Sequence, residues 1–410
     1  VAAFLAHLKS AGNQLAIVSD EGRFTYDQLH AQITAYGAEL AAKSVRDSCV
    51  LLVDNYSFNS VCMLFALWLH NNVVALSVPK GEEQLAQLSG AAGARFSVIG
   101  GMPEFAVIQH ANSFVPPTVD GLLSRHQAGF IVFSSGSTGP AKGVVHSIAP
   151  FFERYLGAER CGAILAFLLF DHIGGLNALF YTLFNGGCLV IPASRQPAPV
   201  AKAIEQHRVQ ALTTSPTFLN LLLLSGAFED HDLGSLEVIN YSAEPMPEQV
   251  LHRLHKLLPH ARLSQSYGLT ETGVVPARSE SSRSGWMKLG DEACQVRVVD
   301  GLLEIRNNST MLGYLNAPSP FTEDGFKAFN EVYVGTLARW DLSLEAGQWP
   351  RAANATRALT AISSRLVPLA SCIGRPASST RAGTIAKPPP TPAMPVSNPT
   401  STPCPASSRS

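Results

Sequence analysis

Residues 130–146 read FIVFSSGSTGPAKGVVH, an apolar run that passes straight into small hydroxyl residues and glycines. Glycines let backbone N–H groups turn inward around an anion. Here Gly136 and Gly139 supply that freedom, and Ser134, Ser135, Ser137 and Thr138 add hydroxyl donors. Lys142, just before Gly143, offers a point charge for outer phosphates. The arrangement is not a Walker loop, because no Gly-Lys-Ser/Thr ends it to seed a helix and hold Mg²⁺. A plain Ser/Gly surface loop is the competing reading. The strand before it and the single lysine between glycines weigh against that.

A second cluster is QSYGLTETG at 265–273. Tyr267 presents a flat ring beside Gly268, Thr270 a hydroxyl, and Glu271 a carboxylate suited to a Mg²⁺ that bridges phosphate oxygens. Read alone, the segment is equally a turn followed by a capped helix. Ser242, Ala243, Glu244 and Pro245 follow an apolar strand at 238–241, the carboxyl end of a strand being where α/β proteins bind ligands. In FDHIGG, 170–175, His172 precedes two glycines, and its bland alternative is a satisfied core histidine.

These residues need a scaffold of alternating strands and helices. Strand candidates lie at 15–19, 50–53, 73–78, 96–99, 129–134, 188–191, 211–214 and 238–241. Helix-period stretches alternate with them at 26–42, 58–70, 82–92, 150–158, 198–207, 216–224 and 247–257. Thr25 is placed as an N-cap, and Ser215-Pro216 starts another helix. Runs such as IVFSS and CLVIP are apolar on both faces, as in sheets covered by helices on two sides. The fold class is therefore α/β, with two sheet-bearing lobes and shorter, β-rich elements from Gly285 onward.

Composition narrows the function classes. At 410 residues the chain has room for two to three domains. A net charge of −1 gives no general reason to expect nucleic acid or an anionic membrane as partner. Seven scattered cysteines without a C-x-x-C pair exclude a disulfide framework and fit a reducing, cytoplasmic setting. Residues 173–191 run 19 positions without a charge, but four glycines interrupt them. They read as a buried helix, a Gly186-Gly187 turn and a core strand, not a membrane span.

SSGSTGPAKG, FDHIGG, SAEP, YGLTETG and MLGYLN (311–316) occur in the order and spacing of the adenylate-forming superfamily. Over residues 25–334 the chain resembles the AMP-binding acyl-CoA synthetases and their adenylation-domain relatives. The resemblance implies a large N-terminal domain over 1–334, with a β-rich lobe near 285–334. It implies that Ser134–Gly139 and Lys142 hold the β- and γ-phosphates of ATP, and that the SAEP segment lines the adenine pocket with Tyr267 stacked nearby. It assigns Thr270 to the α-phosphate, Glu271 to Mg²⁺, and His172 to the carboxylate substrate, with Gly174 and Gly175 allowing close packing. The implied reaction joins a carboxylic acid to AMP with release of pyrophosphate, then passes the acyl group to coenzyme A. Mostly apolar or small residues in the windows 167–176, 240–243 and 265–275 favour a fatty or aromatic acid. The alternatives are an adenylation domain loading a carrier protein and a non-catalytic nucleotide- or acyl-binding remnant.

Two departures stand out. The family follows MLGYLN with a segment whose Asp binds the ribose hydroxyls, and here Asn330 stands in its place, a weaker partner than a carboxylate. Beyond Val334 the family's hinge, its Gly-Arg loop and its lysine-bearing small domain are not recognisable. From Leu342 the chain carries one acidic and seven basic residues, a local net of +6 that leaves −7 for residues 1–341. Eight of the last 25 residues are proline. Such a stretch is expected to be disordered. The swing is what a shifted reading frame or a decayed gene produces, and it predicts impaired adenylation.

Overall fold

Apolar residues on both faces of a strand call for cover on both faces, and Cys49–Val53 shows how this chain provides it. Val50 and Leu52 join one core, while Cys49, Leu51 and Val53 join another on the opposite face. The computed structural model describes residues 2–100, 105–111, 114–134, 141–155, 161–283, 287–299 and 302–328. The expected tail at 335–410 lies outside the described residues.

Two seven-stranded sheets organise the described chain. In the first, the strands Arg262–Gln265, Val238–Tyr241, Ala211–Thr214, Ala163–Leu165, Cys188–Val190 and Leu15–Ser19 run parallel, and Gly22–Thr25 closes the edge as an antiparallel hairpin. In the second, the parallel strands Gly129–Ser134, Val73–Ser77, Cys49–Val53 and Phe96–Ile99 are flanked by antiparallel partners. Those partners are Ala106–Gln109 on one side, and Lys142–Ser147 with Gly313–Tyr314 on the other.

The largest core lies between the sheets. It joins Ile17 and Leu189 of the first sheet, Val50 and Phe130 of the second, and the helices Tyr26–Ala42, Phe58–Leu69 and Ile173–Phe184. Trp68 is fully buried there and donates its indole N–H to the Gly129 carbonyl at 2.8 Å. Tyr26 donates its hydroxyl to the Gly187 carbonyl at 2.8 Å, so each ring buries its body and satisfies its polar tip. The outer faces are covered separately, the first sheet by Pro197–His207, Pro216–Leu224 and Glu248–Leu257, the second by Glu82–Ala92 and Pro117–Leu123.

Caps agree with the sequence. Thr25 and Gln28 form a reciprocal capping box, and Ser215 accepts from the Phe218 N–H. The 173–191 stretch is the helix Ile173–Phe184, a left-handed Gly186 (φ +64°) and the strand Cys188–Val190. Among the described residues no helix is long and apolar enough to cross a membrane.

Two expectations are corrected, and Lys142 opens a strand, Lys142–Ser147, that periodicity did not single out. QSYGLTETG contains no helix; Tyr267–Leu269 and Gly273–Val275 pair as a hairpin with Thr270, Glu271 and Thr272 at its turn. Gly273 has φ +67°, which releases the chain into the return strand. The β-rich part thus begins at Tyr267, earlier than residue 285. It continues through Ala277–Ser279 with Met287–Leu289, and through the antiparallel set Cys294–Val299, Leu302–Asn307 and Lys327–Ala328.

Candidate functional site

Antiparallel pairing sets Ser134 opposite Lys142, so the two ends of the Ser/Thr/Gly loop are held together. Ser135, Gly136, Ser137, Thr138 and Gly139 lie outside the described residues, as does Asn330. Ser134 Oγ donates to the Lys142 carbonyl at 3.4 Å. The MLGYLN segment adds a short strand on the far edge, with Tyr314 opposite Val144. Its Asn316 accepts from the Gly143 N–H at 3.2 Å and donates to the Ala141 carbonyl at 2.9 Å. One amide therefore clamps the exit of the loop.

The same edge holds the hairpin turn. His146, buried in the strand Lys142–Ser147, donates from Nε2 to the Thr270 carbonyl at 2.7 Å, and the Met311 N–H donates to the Glu271 carbonyl at 2.6 Å. Burial pushes the His146 pKa down to about 4, so the ring is neutral with its proton directed at Thr270. Glu271 Oε1 accepts from the Tyr314 hydroxyl at 2.5 Å and lies 3.4 Å from Lys327 Nζ. Burial acts to raise the Glu271 pKa, but the Lys327 ammonium and the Tyr314 hydroxyl outweigh it and hold the carboxyl below its usual value. Lys327, only 1% exposed, is pushed down to about 8 by burial, against the pull of Glu271. Lys142 Nζ and Lys327 Nζ lie 5.3 Å and 4.9 Å from the centre of the Tyr314 ring, within cation–π range. Tyr314 thus links the loop lysine to the turn carboxylate.

A Mg²⁺ at a nucleotide takes one or two protein carboxylates and fills its shell with phosphate oxygens and water. Glu271 supplies one such carboxylate, and among the described residues no cluster of three acidic, His or Cys groups replaces that arrangement. The donor set therefore fits a metal held jointly with phosphate.

A cleft of about 350 Å³ adjoins the hairpin and is lined by His172, Ser242, Tyr267 and Gly268 among others. His172 is not a core residue. It is exposed, caps the helix Ile173–Phe184, and accepts from the Gly174 N–H through Nδ1 at 3.0 Å. The packing around it lowers its pKa, and with Nδ1 accepting, the neutral ring keeps its donor on Nε2. A Cβ at Gly175 would overlap the Leu169 carbonyl, so that turn tolerates only glycine. The lining is more polar than the sequence windows imply, because Arg154, Asn177, Thr213, Arg262 and Ser264 from outside them also face the cleft.

The remaining candidates separate. Ala243 adopts φ +71°, and Glu244 turns away to accept from the Thr217 N–H at 3.2 Å and from the Thr217 hydroxyl. Glu244 and Pro245 line a smaller cavity of about 160 Å³ with Thr217 and Asn220. Of the SAEP residues only Ser242 lines the large cleft. His146, Asn316, Arg154 and Lys327 are the site residues that sequence reasoning did not single out.

The description "AMP-binding enzyme" matches residues 4–315, about three quarters of the chain. The chain belongs to that family. It is 26% identical over 268 residues to 4-coumarate–CoA ligase 5 of Oryza sativa subsp. japonica, covering 57% of this chain and 50% of that protein. It is 22% identical over 356 residues to a D-alanine–D-alanyl carrier protein ligase of Bacillus licheniformis, covering 77% and 71%. The fold matches the N-terminal domain of FACL13 from Mycobacterium tuberculosis with a TM-score of 0.63 and 18% identity, covering 79% of this chain and 94% of that one. The chain spans about half, or less, of the 4-coumarate–CoA ligases it resembles.

Proposed function

We propose that the chain binds ATP at the Ser134–Lys142 loop and activates a small carboxylic acid, held in the His172 cleft, as its adenylate. The observation that carries this reading is the junction at Tyr314, where Lys142 and the Glu271 carboxylate meet at the turn of the hairpin whose strands line that cleft. A carboxylate oxygen attacks the α-phosphorus, the bond to the β-phosphate bridging oxygen breaks, and pyrophosphate leaves. Both reactants are anionic, so oriented donors must offset their repulsion. Lys142 and the loop hydroxyls, Ser135, Ser137 and Thr138 included, hold the outer phosphates, Thr270 faces the α-phosphate, and His172 donates from Nε2 to the acid. Glu271 would hold a Mg²⁺, which when bound would supply Lewis-acid stabilisation of the phosphate charge. The family's second step, thioester formation with coenzyme A, is proposed on the same footing, in a cytoplasmic setting.

The polar lining selects among acids. Hydroxyl, amide and guanidinium groups suit an aromatic acid carrying polar substituents better than a fatty chain, whose methylenes gain nothing from them. The described lining contains no carboxylate to pair with an amino acid's ammonium group. Asp171, the acid nearest His172 in sequence, is spent on the Val78 N–H and on Lys80 at 3.3 Å. That disfavours an amino-acid-loading domain. Residues 335–410 match no motif of the small C-terminal domain, so slow adenylation is proposed for this chain by itself.

The test is acid-dependent exchange of labelled pyrophosphate into ATP, with hydroxylated benzoates and cinnamates set beside fatty and amino acids. Slow exchange restricted to the aromatic acids supports the reading. Tight ATP binding with no exchange for any acid would leave the non-catalytic binder in its place.

A further inference from the structure

The carboxylate assigned to the metal already has a cation. Lys327 Nζ stands 3.4 Å from Glu271 Oε1, and the same ammonium lies 3.2 Å from the Tyr314 hydroxyl oxygen, whose proton is directed at Glu271. Lys327 is 1% exposed, and its position is set by the strand Lys327–Ala328, which pairs with Leu302–Asn307 through Ile305 opposite Lys327. Met311 Sδ lies 3.9 Å from the same ammonium. Strand pairing and burial place this ammonium beside the carboxylate while its flexible stem leaves it free to shift. A half-buried carboxylate paired with an ammonium is largely neutralised in place, and a second cation gains little from it until the first withdraws.

We propose that Lys327 is a built-in counter-ion of Glu271, which a divalent cation must displace before it can bind there. The inference rests on the reading of Glu271 as metal ligand. Its consequences are specific to this chain. Without nucleotide, Glu271 holds divalent cations poorly. Tyr314 couples the two lysines, since Lys142 Nζ approaches the same ring from the phosphate loop.

The test measures free Mn²⁺ by electron paramagnetic resonance, with the full chain and the β,γ-imido analogue of ATP. Lys327→Met is expected to bind Mn²⁺ about tenfold tighter than wild type, because the competing charge is gone. Adding Glu271→Gln to that variant is expected to abolish the gain. Lys327→Gln, which keeps a donor for Glu271 without the charge, replaces the methionine variant if the latter does not fold. Equal Mn²⁺ affinity in wild type and the Lys327 variants, with Glu271→Gln weakening both, overturns the counter-ion role and leaves Glu271 as a ligand. If Glu271→Gln changes Mn²⁺ binding in neither background, Glu271 is no metal ligand, and the inference falls together with the reading beneath it.

Discussion

His146 illustrates how a single buried residue ties the site to stability. Its folded pKa of about 4 lies below the ordinary value of 6.5, so between those limits the unfolded chain binds the extra proton. The contribution is full above pH 6.5 and is lost as pH falls toward 4, in all about 3 kcal/mol. Denaturant titrations from pH 7 to 4 should show this loss, and His146→Gln should flatten the difference in that window. An unchanged slope would contradict the assignment. His172 carries a cap and a donor at once. His172→Ala should cost about 1 kcal/mol of stability through the lost cap, and should also raise the KM for the acid with little change in ATP affinity. Thermal unfolding and exchange kinetics separate the two effects. Residue types in motifs were legible from sequence, whereas Lys327 was not, because a lysine two positions past a Gly reads as exposed until strand pairing buries it.

Elements explain why some of the site was readable and some was not. Tyr26–Ala42 shows a full helical period behind a capping box, and its bounds are those expected from sequence. Ala163–Leu165 is three residues long, too short for periodicity to register, and Arg262–Gln265, read as Arg-Leu-Ser-Gln, holds a single apolar residue. Thr-Glu-Thr at 270–272 imitates a helix start, yet its neighbours Tyr267 and Val275 pair across a hairpin and bury together in the β-rich core. Asn316 gives the element scale its test. Its two hydrogen bonds hold the exit of the phosphate loop to the edge strand. Asn316→Ala should weaken ATP binding severalfold while lowering stability by only about 1–2 kcal/mol. A variant that unfolds before losing affinity would make Asn316 a fold residue alone.

At the scale of the molecule, two helix-covered sheets and a β-rich lobe bring three sequence-distant motifs to one edge. The hairpin turn of Glu271, the strand of Lys142 and the strand of Tyr314 meet there although they lie far apart in the chain. The motif order pointed to the family, but the charge arrangement inside the site emerged only from the packing. The central claim is that this assembly binds ATP, and the thermal unfolding midpoint at saturating Mg-ATP tests it most directly. At about a hundredfold excess over Kd, binding adds about 2.7 kcal/mol, which raises Tm by about 4 °C for a domain of this size. The account predicts that rise in the wild type and its loss in Lys142→Ala. A wild-type Tm indifferent to Mg-ATP would contradict it.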